Sequence, residues 1–178
     1  AFEAVQGFVR MADDGLVAGL FKKMVARLLK AVSGDVEAEA EKPNALALAE
    51  LAGALVPSVG ADALDLALKV FAPMLAGAAA ASEEDKALAS ALQKSAYRAV
   101  LALLRHPACT AAEGGARVLG LWTTLRDARQ TCAPGALKAR LAAVEEMLKL
   151  TEKHLAPRFR EPGVRQEYLQ CLTAVMPE

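Results

Sequence analysis

Aromatic side chains are scarce, at 4% of 178 residues, and that scarcity is the first constraint on the fold. Strands draw on β-branched and aromatic residues to cover a pleated surface; an interior of Ala, Leu and Val favours close helix–helix contact instead. Excess charge of one sign is also missing: 21 Lys and Arg face 21 Asp and Glu, which argues against a polycation that coats nucleic acid. Cysteine is sparse and odd in number. Cys109, Cys132 and Cys171 lie far apart, which fits a reducing compartment rather than a disulfide framework. No signal-peptide pattern stands at Ala1. Charge breaks every apolar run well short of the roughly 18 residues a membrane span needs, so no membrane partner is expected. With no opening Met and an end at VMPE just after an apolar helical pattern, residues 1–178 read as one segment of a longer chain.

What is present is helical period. Hydrophobic residues make up 54% and charged ones 24%, enough for a substantial core. Leu16, Val17, Leu20, Phe21, Met24, Val25, Leu28, Leu29 and Val32 recur in pairs, with Lys22, Lys23, Arg27 and Lys30 opposite: one amphipathic helix. Residues 33–43, SGDVEAEAEKP, read as a solvated acidic loop. The stretches after it close with an apolar cluster and then Pro57 or Pro73, which bias the chain out of helix; the same word returns at Pro157 and Pro177. Ser82 to Asp85 is a capping-box variant, and Thr110 to Glu113 repeats the signal. Pro134 suits a first helical turn, followed by an apolar line of Leu137, Leu141, Val144, Leu148, Thr151 and Leu155. The sum is about eight antiparallel helices. Several are apolar on more than one side, as suits stacked helical pairs. A HEAT/armadillo-like α-solenoid segment is therefore expected, with a closed helical bundle as the other arrangement.

Catalytic chemistry finds no footing. His106 and Cys109 have H-x-x-C spacing, but a structural zinc site wants four ligands and neither His154 nor Cys171 repeats it. Glu83, Glu84 and Asp85 are explained by the dipole of a helix start. Gly114–Gly115 lacks the flanking strand and the Gly-Lys-Ser/Thr ending of a phosphate loop, and no nucleophile elbow is present. Trp122 and Phe21 read as core. No metal, cofactor or small-molecule substrate is expected, and the chain reads as non-enzymatic.

Charge is uneven along the chain. Residues 1–93 hold 8 Lys/Arg against 13 Asp/Glu, and residues 94–178 hold 13 against 8; such asymmetry points to a polar partner. Arg126, Arg129, Lys138 and Arg140 bracket one helix connection, and Arg158, Arg160 and Arg165 the next. If those connections share an edge, they form a basic ridge for phosphate or an acidic protein; the plainer reading is solubilised helix ends that complement C-terminal dipoles.

One greasy helix carries a polar turn, LQKSAYRAV, containing Lys94, Tyr97 and Arg98. It resembles the Q-K-K-A-Y-[KR] helix of the nucleolar ribosomal RNA-processing protein twelve family, HEAT-like repeat proteins of small-ribosomal-subunit precursors. TLRDARQ followed by P-GALKARLAAVEEMLKL, and the ending YLQCLTAVMPE, resemble that family in the same order; LFKKMVARLL matches more loosely. The connection before Pro134 is longer than the family's, and Ala replaces many larger core residues. The resemblance implies a scaffold acting in pre-rRNA processing and small-subunit maturation and export. It implies a nuclear, nucleolar location and binding to RNA, assembly-factor proteins or both in the pre-ribosomal particle. On this reading Lys94 and Arg98 satisfy carbonyls or carboxylates of a neighbouring repeat, while Tyr97 packs its ring and keeps its hydroxyl wet. Rival readings are a transport-receptor-like HEAT module that binds peptide cargo or a GTPase, and a small-molecule enzyme on a helical bundle.

Overall fold

A computed structural model describes residues 2–32, 42–76, 86–111 and 114–175. Among these residues there are nine α-helices and no strand: α1 Phe2–Met11, α2 Asp14–Val32, α3 Ala45–Leu55, α4 Ala61–Ala76, α5 Lys86–Leu104, α6 Pro107–Thr110, α7 Gly115–Asp127, α8 Leu137–Leu155 and α9 Val164–Val175. Most of the acidic stretch expected as a loop, the Ser82–Asp85 capping signal and Pro177 lie outside the described residues.

Helix α2 shows why the pattern becomes this structure. The Asp13 carboxylate accepts the Leu16 N–H at 2.8 Å, so one of the orphan donors of the first turn is satisfied. Val17, Phe21, Val25 and Leu28 are buried, and Lys22, Lys23, Arg27 and Lys30 are exposed. The stripe is narrower than the pairs imply, because Leu16 is 53% exposed and Leu29 and Val32 also face out.

Proline ends helices at two of the expected places and fails to at a third. Leu55 and Leu155 each hand over to a 3-10 turn, Val56–Ser58 and Ala156–Arg158, with proline in its second position. Pro73 instead lies inside α4. The ring costs the helix a bond to the Lys69 carbonyl. Pro73 and Lys69 are both exposed, so water can take that carbonyl's place, while Met74 and Leu75 beyond it are buried and hold the last turn down. The Thr110 capping expectation is also corrected. Thr110 ends α6 and donates its hydroxyl to the Pro107 carbonyl at 3.0 Å, and α7 starts from Gly114 without a side-chain cap.

Helices α3, α5 and α8 are the spine. Helix α5 packs on α3 on one side and α8 on the other, with α4 also against it; α2 covers α3 and α4, and α7 and α9 cover α8. A Cβ on Gly53 would stand 3.2 Å from Ala99, and further along the His106 imidazole meets the Val59 carbonyl, so α3 and α5 run the same way. Tyr97 beside Arg140 and Arg105 paired with Glu146 give α5 and α8 the same sense. The bridging pairs are separated by similar lengths of chain: 47 residues for Val59–His106, 41 for Arg105–Glu146, 43 for Thr110–Lys153 and 45 for Cys109–His154.

Helix α8 buries part of the line its spacing suggests: Val144, Thr151 and Leu155 follow it and Leu148 is half-buried. Ala143, Val144, Met147, Leu150, Thr151 and Leu155 are inside, while Leu137 and Leu141 are 48% and 54% exposed. The leucines at the start of α8 stay outside because Arg140 and Ala143 take the inward positions there, and Thr151 is satisfied inside by Trp122 and the Met147 carbonyl.

Candidate functional site

The polar turn of α5 divides by helical phase. Gln93, Tyr97, Val100 and Leu104 follow one inward line at spacings of three and four, while Lys94 and Arg98 follow the outward one. The Gln93 amide donates to the Leu75 carbonyl at 2.7 Å and to the Thr131 carbonyl at 2.9 Å, and its oxygen accepts the Ala133 N–H at 2.7 Å. One buried side chain thus satisfies a carbonyl in the last turn of α4 and fixes both sides of the 131–133 turn.

Tyr97 corrects its expectation. Its hydroxyl is not wet: the residue is fully buried, and the O–H points to the Ala128 carbonyl at 3.5 Å. Burial, with Cys132 nearby, pushes the phenol up to about 12, so it stays protonated. Lys94 and Arg98 are exposed, and the inward carbonyls of α4 and of the 131–133 turn are met by Gln93.

The basic residues do not form one ridge. Arg126, Arg129 and Lys138 stand at the start of α8, and Arg158, Arg160 and Arg165 at its far end. Nineteen helical residues intervene, about 28 Å at 1.5 Å each. Arg126 is paired with Asp127 at 2.9 Å, and Arg158 grips Glu161 at 2.7 Å, which holds that carboxyl below its usual range. Lys138, Arg160 and Arg165 are exposed and Arg129 is half-buried.

Arg140 leaves the surface set altogether. It is 6% exposed, beside Tyr97 and Cys132, and among the described residues its Nε and Nη2 have no hydrogen-bond partner. Burial pushes the neighbouring Cys132 thiol up despite the guanidinium, so it supplies no counter-charge. A buried cation without an anion destabilises a fold, and apolar replacement commonly stabilises it by 1–4 kcal/mol. Arg140→Met is therefore expected to raise unfolding stability by about 2 kcal/mol in urea titration. A loss of stability would show that the guanidinium is compensated.

Two histidines that the sequence left as bland do positional work. His106 caps α6: Nδ1 accepts the Ala108 N–H at 3.1 Å, which leaves Nε2–H to donate to the Val59 carbonyl at 2.9 Å. His154 reaches the Cys109 carbonyl at 3.0 Å, and Lys153 donates to the Thr110 carbonyl at 2.7 Å. His106 and Cys109 are both buried, and among the described residues no group of three or more His, Cys, Asp or Glu could hold a metal ion. Trp122 is core, as read, and donates Nε1–H to Thr151 at 2.6 Å, which passes the bond to the Met147 carbonyl at 2.7 Å. Among the described residues no helix is long and apolar enough to cross a membrane.

The sequence reading named Tyr97 and weighed the histidines only as metal ligands, and it gave Gln93 no role. Helical phase was the available signal for Gln93, which shares a line with Tyr97 and Val100. The histidines' partners are backbone carbonyls more than 40 residues away, and side-chain spacing carries no trace of those. No family model, characterised protein or solved structure matches this chain.

Proposed function

We propose that the chain is a HEAT/armadillo-like α-solenoid segment working as a non-enzymatic scaffold in a nucleolar ribosome-assembly factor, bound to pre-ribosomal RNA, assembly proteins or both. One observation carries the architecture: bridging contacts recur at separations of 41 to 47 residues between helices that run in the same sense. HEAT and armadillo units have lengths of about 40–47 residues. The polar contacts between units are made by Gln93, His106 and His154 to backbone, which stiffens a stacked array without building a reactive centre. The assignment to ribosome assembly rests on the resemblance of the α5, α8 and α9 sequences, and RNA contact rests on the exposed cations at both ends of α8.

Because those cations form two small sets, RNA binding should be shallow in salt. A logarithmic plot of affinity for a structured RNA against salt is expected to have a slope of about 2–3, not the slope of about 6 that a continuous seven-residue ridge gives. The double variants Arg129→Glu/Lys138→Glu and Arg160→Glu/Arg165→Glu are each expected to lower it by about 1–2. RNA affinity that neither pair alters would remove these cations as the contact, and no binding even at low salt would leave protein partners alone.

A further inference from the structure

The outward half of the α5 polar turn borders a surface separate from the basic helix ends. A groove of about 560 Å³ runs between α3 and α5, lined with small apolar residues, among them Ala47, Ala54, Ala99 and Ala102. From Ala47 to Pro57 its α3 wall extends about 15 Å, two to three turns of helix. Small walls let another backbone approach closely.

Its polar groups are placed by wall. Glu50 stands on the α3 side and Arg98 on the α5 side, with exposed Lys94 one turn before Arg98. Among the described residues neither Glu50 nor Arg98 makes an ion pair or hydrogen bond. Ser95, only 5% exposed, also lines the groove, and its hydroxyl has no partner among the described residues.

We propose that this groove docks an amphipathic helix of a partner protein. The helix places Leu-type anchors at i, i+3/i+4 and i+7 against the alanines. Acidic residues on one flank face Lys94 and Arg98, and a basic residue on the other faces Glu50. The charge arrangement selects this occupant: Arg98 on one wall, with Lys94 one turn beyond the groove, and Glu50 on the other fix both the chemistry and the orientation of a bound helix. It also gives the outward residues of the polar turn a use that the inward clasp does not. The surface shares no residue with the basic helix ends, so it stands or falls independently of RNA binding.

The test uses two fluorescein-labelled model helices of about 16 residues. They have identical Leu anchors; one carries Glu pairs on the flank meeting α5 and the other Lys pairs. Fluorescence anisotropy with the intact chain should show the Glu-flanked peptide binding at least about 10-fold tighter. Arg98→Glu should reverse that preference. Ala54→Leu, which fills the groove, should weaken both peptides without lowering the melting temperature. Equal affinity for both flanks, or binding indifferent to Ala54→Leu, overturns the proposal. So does a concentration-dependent dimer in sedimentation that Ala54→Leu abolishes, since it would assign the groove to a second copy, and so does displacement of the peptide by RNA.

Discussion

Replacing Gln93 by leucine is expected to cost about 4 kcal/mol of unfolding stability, a large share of the roughly 5–15 kcal/mol a domain has in total. Leucine is close in volume and keeps the apolar packing, so the loss is of hydrogen bonds and not of space. It orphans three backbone groups at once: the Leu75 and Thr131 carbonyls and the Ala133 N–H. A buried group left unpaired costs about 1–3 kcal/mol; the Leu75 carbonyl bears that in full, and the half-buried Thr131 and Ala133 groups count at its lower end. Leu75 is fully buried, near the end of α4, and its carbonyl accepts from Gln93. Gln93→Glu separates hydrogen bonding from shape. Its carboxylate still accepts the Ala133 N–H but faces two carbonyls, which favours the protonated acid and raises its folded pKa above the unfolded value near 4.3. Stability then is fullest below about pH 4 and is lost as pH rises towards the folded value. Urea midpoints for wild type, Gln93→Leu and Gln93→Glu at pH 4 and pH 7 check both statements. A leucine variant within about 0.5 kcal/mol of wild type would mean water replaces the amide, and the clasp would not be what ties α5 to its neighbours.

The sequence made helices legible and partners only partly so. Helix α2 was readable because Phe21 and its neighbours repeat on one face with lysines opposite, and burial follows that line. Helix α8 was misread in part because leucines were counted as core by type. Leu137 and Leu141 lie outside while Arg140 lies inside; Thr151, on the line read from sequence, is inside and satisfied by Trp122 and Met147. Nothing in one helix's sequence reports what stands opposite it. Pro73 was misread for a related reason: a local rule about one missing N–H was outweighed by burial of Met74 and Leu75 three-dimensionally beyond it. The basic ridge failed on geometry, since consecutive connections in a helical array fall at opposite ends of the helix they flank. The polar turn of α5 was recognised as unusual, but its division into an inward clasp and an outward rim needed the structure.

Gly114→Ala is expected to be the most damaging Gly→Ala change among the described glycines, with a loss above about 3 kcal/mol. Backbone conformation is not the reason. Gly114 has φ −73° and ψ −13°, which alanine adopts freely. The obstacle is space: an added Cβ would lie 2.6 Å from the Ala108 carbonyl oxygen and 2.7 Å from the Cys109 carbonyl carbon, and closer still to the Cys109 oxygen. These are backbone atoms of α6, and α6 cannot retreat. His106 ties its start to Val59, while His154 and Lys153 hold the Cys109 and Thr110 carbonyls from α8. Accommodating the methyl therefore means breaking contacts to two neighbouring helices instead of moving one loop. Gly120 is the matched control. It lies exposed within α7, and a Cβ there meets nothing within 4 Å, so Gly120→Ala should stabilise by about 0.5–1 kcal/mol through helix propensity alone. Opposite shifts in the urea midpoint for the same chemical change would locate the rigid seam at α6. If Gly114→Ala unfolds at the wild-type midpoint, α6 is free to shift, and the histidine contacts on either side of it are not holding it in place.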